Sequence, residues 1–98
     1  MEHLHELYLR YCKTKKRIYL SELARASYER IFPFFKAKEG EEAAKDLAAK
    51  CISNMLEYRG FQKAGINDFS KYLFSVAKNV LVSFYREKNR VHELFVVH

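Results

Sequence analysis

The chain is poor in the residues that make tight turns and cross-links. Its 98 residues include three glycines, one proline and two cysteines, and no tryptophan. A β-sandwich or β-barrel needs many tight turns, which so few glycines and prolines cannot supply. Two cysteines are too few to brace a small secreted scaffold. No apolar run approaches the roughly 20 residues of a membrane span, and the first residues lack the charged and apolar blocks of a signal peptide. We therefore expect a cytoplasmic protein with no membrane partner.

Apolar and charged residues dominate the composition instead. Hydrophobic residues make up 49% of the chain and charged residues 31%. This balance predicts a folded chain, and the length suits one domain over residues 1–98. The 18 Lys and Arg outnumber the 12 Asp and Glu, which gives a net charge of +6. Most of the excess lies in residues 50–90, where eight basic residues face three acidic ones. A polyanionic partner would contact this half of the chain.

Hydrophobic periodicity predicts four helices, of which the first two are the less regular. The first runs from about Glu2 to Lys13. The second begins at Ser21, which is a good N-cap residue. Pro33 should kink or end this helix near Phe32, and Gly40 should stop it.

The third and fourth helices have clearer apolar faces. The third runs from Glu41 to Tyr58 and is followed by a loop at 61–66. The fourth begins after an N-cap at Asn67 or Asp68 and runs to about residue 86. The prediction is thus an all-α fold, a compact bundle of four helices. The last residues, 91–98, form an apolar tail that we expect to dock on the bundle or on a partner.

The chain has no pattern typical of catalysis or of metal binding. His3 and His5 are two residues apart and cannot share one face of a helix. Cys51 falls at a core position of the third helix, where a cysteine behaves as a small apolar residue. No zinc-type spacing of Cys or His is present. We therefore expect no enzyme activity, no metal and no cofactor.

The fourth helix resembles region 2 of bacterial sigma factors, especially those of the extracytoplasmic-function type. Residues 69–86 read FSKYLFSVAKNVLVSFYR, in which the Tyr-Leu pair at 72–73 and Val-Ala-Lys-Asn at 76–79 match the family pattern in register. Upstream, Asp-Leu at 46–47 followed by Cys-Ile at 51–52 is similar to the start of the family's polymerase-docking helix. Residues 28–33, YERIFP, are similar to its opening helix. The resemblance spans about residues 27–90.

The resemblance implies a bundle at 21–90, preceded by an extension helix at 1–20, that binds RNA polymerase through its β′ subunit and promoter DNA at the −10 element. On this basis we expect phosphate and base contacts from α-helical and loop residues near the carboxyl end. The implied DNA-binding residues are Phe61, Lys63, Lys71, Lys78, Asn79, Arg86, Lys88 and Arg90. The implied polymerase-docking residues are Asp46, Ala49, Lys50, Ser53, Asn54 and Glu57.

The chain also departs from the family pattern. Lys50 stands where the family has Glu, which reverses a charge at the docking helix, and Ser83 stands where Asp is common. Residues 1–98 contain no counterpart of the family's reader of the −35 element. We expect either an excised domain or a co-factor that shares sigma function with a second polypeptide. An anti-sigma factor is a further possible partner. Two alternatives remain: a protein-interaction module that does not read DNA, and a basic nucleic-acid binder without sequence preference.

Overall fold

Helices account for nearly all of the described chain. A computed structural model describes the backbone of residues 3–62 and 65–96 and the side chains of residues 3–61 and 65–90. Within these ranges the chain forms helices and no β-strand, which confirms the all-α prediction. The five helices are α1 (His3–Thr14), α2 (Arg17–Glu39), α3 (Glu41–Glu57), α4 (Arg59–Gln62) and α5 (Phe69–Val96). The helix that the prediction lacks is α4, a single turn that begins at Arg59 and takes in the first two residues of the loop predicted at 61–66.

Gly40 alone connects α2 to α3. Its φ of 89° lies in the left-handed region, where glycine has no steric penalty, and its N–H donates to the carbonyl of Lys36 at 2.9 Å. The two helices pack against each other as a hairpin. The predicted stop at Gly40 is confirmed.

The start of α2 corrects the prediction of an N-cap at Ser21. The helix begins at Arg17, and Lys16 occupies the N-cap position without a side-chain hydrogen bond. Ser21 is exposed within the helix, one turn after its start. The N-cap preference of serine is worth only about 1 kcal/mol, and apolar packing further along the helix outweighs it.

Pro33 does not end α2, which continues to Glu39. Of the two outcomes predicted for Pro33, a kink or an end near Phe32, the end does not occur. Proline removes one backbone hydrogen bond, but Pro33 is exposed, so water can solvate the carbonyl that loses its donor. Ile31 and Phe35 are fully buried on either side of it and hold both halves of the helix against the core.

Asp68 caps α5, as predicted for Asn67 or Asp68. Its Oδ1 accepts the backbone N–H of Lys71 at 3.2 Å. The helix has 28 residues and continues past the predicted end at residue 86 to Val96. The backbone of residues 91–96 is therefore helical, while the predicted docking of the apolar tail at 91–98 lies outside the described side chains.

The core joins all of the longer helices. It includes α1, which the sequence placed before the bundle as an extension but which buries Leu4, Leu7, Tyr8 and Tyr11. The helix α1 packs against α2 and α5, and α5 also packs against α3. Outside α1, the largest fully buried apolar side chains of the core include Leu23, Ile31, Phe35, Met55, Phe61, Phe69 and Leu73. No helix in the described part of the chain is long and apolar enough to cross a membrane.

Candidate nucleic-acid interface

The outer side of α5 carries three cations in line. Lys71, Lys78 and Arg86 are exposed and lie about two helical turns apart. Ser75 and Val82, both exposed, fill the positions between them. None of the three cations forms an ion pair with a described residue. These five residues are called the cationic face, and its charge is available to an anionic ligand.

Lys88 and Arg90, the other two predicted phosphate contacts on α5, already have acidic partners. Lys88 Nζ lies 3.5 Å from Glu39 Oε1, at the end of α2, and 5.6 Å from the centre of the Phe84 ring. Arg90 Nη2 lies 2.8 Å from Glu87 Oε1. Lys88 is therefore directed towards α2 and away from the cationic face.

A cleft of about 430 Å³ separates the last turns of α3 from the first half of α5. Four of its polar residues, Asn54, Glu57, Ser75 and Asn79, form no side-chain hydrogen bond to another described residue. Asparagine amides both donate and accept hydrogen bonds, whereas a carboxylate only accepts. The complete lining is Asn54, Glu57, Tyr58, Tyr72, Ser75, Val76 and Asn79. We call this feature the α3–α5 cleft; it brings the predicted base-contacting Asn79 beside two residues predicted for docking.

Two tyrosine rings form the aromatic wall of the cleft. The ring centres of Tyr58 and Tyr72 are 5.3 Å apart. The Tyr72 hydroxyl donates to the Met55 carbonyl at 3.0 Å, and burial raises the pKa of Tyr72 to about 12. Tyr72 is therefore a fixed, neutral wall, while Tyr58 is 49% exposed and can contact a ligand.

Gly60 allows Tyr58 to take this position. A Cβ atom at Gly60 would lie 2.5 Å from Cε2 of Tyr58, so the tyrosine ring rests directly on the glycine backbone. Tyr58 was not among the predicted site residues. Its signal in the sequence is the glycine two residues later, which the helical pattern explains equally well as a helix end.

The predicted role of Phe61 is wrong. Its ring is fully buried and packs 5.3 Å from Tyr8 and 6.3 Å from Phe69, centre to centre. A ring with no exposed face cannot stack on a base. The carbonyl of Phe61 is equally engaged, because it accepts the Tyr8 hydroxyl at 3.1 Å and the Cys12 thiol at 3.4 Å. The helix α1 thus fixes the segment that leads out of the cleft.

The six residues predicted for polymerase docking form one exposed stripe along α3. All six are exposed and recur at helical spacing: Asp46, Ala49, Lys50, Ser53, Asn54 and Glu57. Asp46 and Lys50 also border a second groove of about 620 Å³ with an apolar floor that includes Leu47 and Phe84. Because Asn54 and Glu57 also line the α3–α5 cleft, the stripe and the cleft adjoin.

Two further sequence predictions concern Lys63 and metal binding. Lys63 lies outside the described residues. Among the residues that the structure describes, no three His, Cys, Asp or Glu side chains are close enough together to hold a metal ion.

Comparisons with models of known protein families, with curated protein sequences and with solved structures find no match to this chain.

Proposed function

We propose that this chain acts as a sigma-region-2-like domain that binds one strand of a melted promoter −10 element and docks on RNA polymerase, without enzyme activity. The strand would lie across the cationic face, with an unpaired base in the α3–α5 cleft. The polymerase would contact the stripe along α3. The proposal combines the resemblance of residues 27–90 with the surfaces described above.

One observation carries the nucleic-acid part of the proposal. The three exposed cations of the cationic face have no described ion-pair partner, and they lie on the same helix as Asn79. The side chain of Asn79 lines the α3–α5 cleft, one wall of which is aromatic. Each phosphate neutralised on a single strand contributes about −0.7 to the slope of log affinity against log salt, so three contacts predict about −2. Cations alone would attract any polyanion, and the cleft supplies the element that can distinguish bases.

The cleft favours an unpaired base over a duplex. Stacking of a base on an exposed tyrosine such as Tyr58 contributes roughly 1–3 kcal/mol, comparable to the few kcal/mol that unstacking a base costs. Asn79 can read a base edge with one donor and one acceptor. Glu57 can accept a hydrogen bond from an exocyclic amine.

The polymerase part of the proposal rests on the stripe along α3. Its residues are polar or small and exposed on the outside of the bundle. They do not contribute to the apolar core, so their side chains can contact a partner. Lys50 gives the stripe a positive charge where the sigma-factor pattern has a negative one. The resemblance therefore predicts that Lys50→Glu binds polymerase more tightly than the parent chain.

Fluorescence anisotropy tests the nucleic-acid part. The parent chain is titrated into a labelled single-stranded −10-type oligonucleotide, its scrambled version and the matching duplex at several salt concentrations. Tighter binding of the −10-type strand supports the proposal. Equal binding of both single strands supports the alternative of a basic binder without sequence preference.

Capture of bacterial core RNA polymerase on the immobilised chain tests the docking part. Lys50→Glu is compared with Lys45→Glu, which makes the same charge change on α3 at an exposed position outside the stripe. Stronger capture by the Lys50 variant alone supports docking through the stripe. Capture of polymerase by a chain that binds no oligonucleotide at low salt supports the interaction-module alternative.

A further inference from the structure

The turn between α1 and α2 carries four positive charges within five residues. Lys13, Lys15, Lys16 and Arg17 are all exposed, and only residues 15 and 16 separate the two helices. The turn is held in shape by its own hydrogen bonds: the N–H of Lys15 donates to the Tyr11 carbonyl at 2.7 Å, and the N–H of Lys16 donates to Thr14 Oγ1 at 3.2 Å. The cations are therefore presented by an ordered backbone.

Three consecutive residues of this turn conflict with local conformational preferences. Lys15 has a φ of 57°, in the left-handed region where glycine normally ends a helix. Lys16 is an N-cap without a side-chain cap, where Ser, Thr, Asp or Asn is preferred. Arg17 places a cation at the positive end of the helix dipole, and the first turn of α2 contains no acidic residue to offset it.

The three conflicts share one feature: at each position a cation stands where another residue type would suit the local structure better. Departures from local consistency concentrate at functional sites, where the fold gives up stability to keep a group that binding needs. On a surface without a binding function, we would expect residues better suited to the left-handed and N-cap positions than two lysines. The chemistry that gains from such a turn is an anionic ligand.

The turn stands at the same end of the bundle as the aromatic wall of the α3–α5 cleft. Lys15 Nζ lies 5.3 Å from the centre of the Tyr11 ring, which is 5.8 Å from the centre of the Phe61 ring. Phe61 follows Gly60, on which the ring of Tyr58 rests. A strand that leaves the cleft past Tyr58 would therefore run towards the end of the bundle that carries this turn.

We infer that the α1–α2 turn is a second phosphate-contact surface, which binds the backbone of the nucleic-acid strand where it leaves the α3–α5 cleft. The inference rests on the proposed function, since the cleft must hold the strand. It assigns a role to the basic run at 13–17 that the resemblance to sigma region 2 does not cover. It also makes the binding site longer than α5 alone.

The test is a variant that restores the local preferences of the turn, Lys15→Gly/Lys16→Ser. We expect it to unfold at a higher denaturant concentration than the parent and to bind a single-stranded oligonucleotide more weakly. Loss of two phosphate contacts reduces the magnitude of the salt slope by about 1.4, which weakens binding by up to about 60-fold at about 50 mM salt. Opposite changes in stability and affinity cannot come from misfolding.

The matched control is Lys38→Gln/Lys45→Gln, which removes two exposed cations near the far end of α2 and the start of α3. It should keep the parent's salt slope. A restored turn that binds the oligonucleotide like this control overturns the inference, as does a restored turn that is no more stable than the parent. Loss of binding to phosphatidylserine vesicles without loss of oligonucleotide binding also overturns it and makes the turn a lipid contact. If the parent binds no oligonucleotide, the proposed function fails and the inference fails with it.

Discussion

His5 Nδ1 accepts a hydrogen bond from the backbone N–H of Phe69 at 3.2 Å. The first N–H groups of a helix have no partner within the helix, so a residue of α1 satisfies one of these groups in α5. The contact joins residues that are 64 positions apart. It ties the N-terminal helix to the start of the helix that carries the cationic face.

Loss of this contact should destabilise the fold. We expect His5→Ala to lower the free energy of unfolding by about 1 kcal/mol, the usual effect of removing a helix-capping acceptor. Urea denaturation followed by circular dichroism measures the change. His3→Ala removes an exposed histidine from the same helix and should change stability by less than about 0.5 kcal/mol. Equal effects of the two variants would show that the His5 contact contributes nothing.

Ionisation of Tyr8 should lower the free energy of unfolding at alkaline pH. Burial raises the pKa of Tyr8 to about 12 from an ordinary value near 10. The unfolded chain therefore releases the phenolic proton first, and the contribution of Tyr8 to stability is complete below pH 10 and lost between pH 10 and 12. We expect the difference in free energy of unfolding between the parent and Tyr8→Phe to shrink over this range. If this difference in free energy of unfolding stays constant from neutral to strongly alkaline pH, the prediction for Tyr8 is contradicted.

Cys51 should resist thiol reagents until the protein opens. It is fully buried, and burial raises the pKa of its thiol to about 12, so the native state offers almost no thiolate. We expect its reaction with a disulfide reagent in a Cys12→Ser variant to be more than about 100-fold slower in buffer than in denaturant, which corresponds to an opening free energy of about 3 kcal/mol. Rapid reaction in buffer would place Cys51 outside a stable core.

Gly60→Ala should displace the Tyr58 ring without unfolding the chain. The added Cβ meets the far end of a half-exposed side chain, which can rotate away at low cost. If Tyr58 stacks on a base, the variant loses roughly 1–3 kcal/mol of oligonucleotide binding while its thermal unfolding changes little. Gly65→Ala is the control, since a Cβ there meets its nearest atom at 3.4 Å. Unchanged binding by the Gly60 variant would exclude Tyr58 from the site.

Asn79→Ala should reduce discrimination between bases more than overall affinity. A good side-chain contact to a base edge is worth about 1–3 kcal/mol of discrimination, whereas the phosphate contacts are unaffected. The measured quantity is the ratio of affinities for the −10-type and scrambled strands. Asn89→Ala changes the same residue type on α5 at an exposed position that does not line the cleft. Equal ratios in both variants would argue against base reading by Asn79.

Periodicity and local capping chemistry predict α3 and the start of α5 well. Their apolar residues recur regularly, and the Asp68 cap is a contact between near neighbours in sequence. Tertiary packing decides the rest. Pro33 stays within α2 because Ile31 and Phe35 are buried on both sides of it, which no local rule anticipates.

The candidate site shows the same division between local and distant determinants. The exposure of Lys71, Lys78 and Asn79 follows from their place on the helix, as predicted. The burial of Phe61 does not, because its neighbours Tyr8 and Tyr11 come from the other end of the chain. The Tyr58 ring takes its position from a glycine two residues later and from Tyr72, and only the folded chain brings these together.

The one-residue link at Gly40 gives α2 and α3 almost no room to slide or turn against each other. Asp46 and Glu57 both lie on α3, so a protein held near one and a strand held near the other would be spaced by about 16 Å of helix, from 11 residues at 1.5 Å each. The α3 helix would act as a ruler between two ligands rather than as a hinge. The short link to α2 then fixes the direction of this ruler relative to the rest of the bundle.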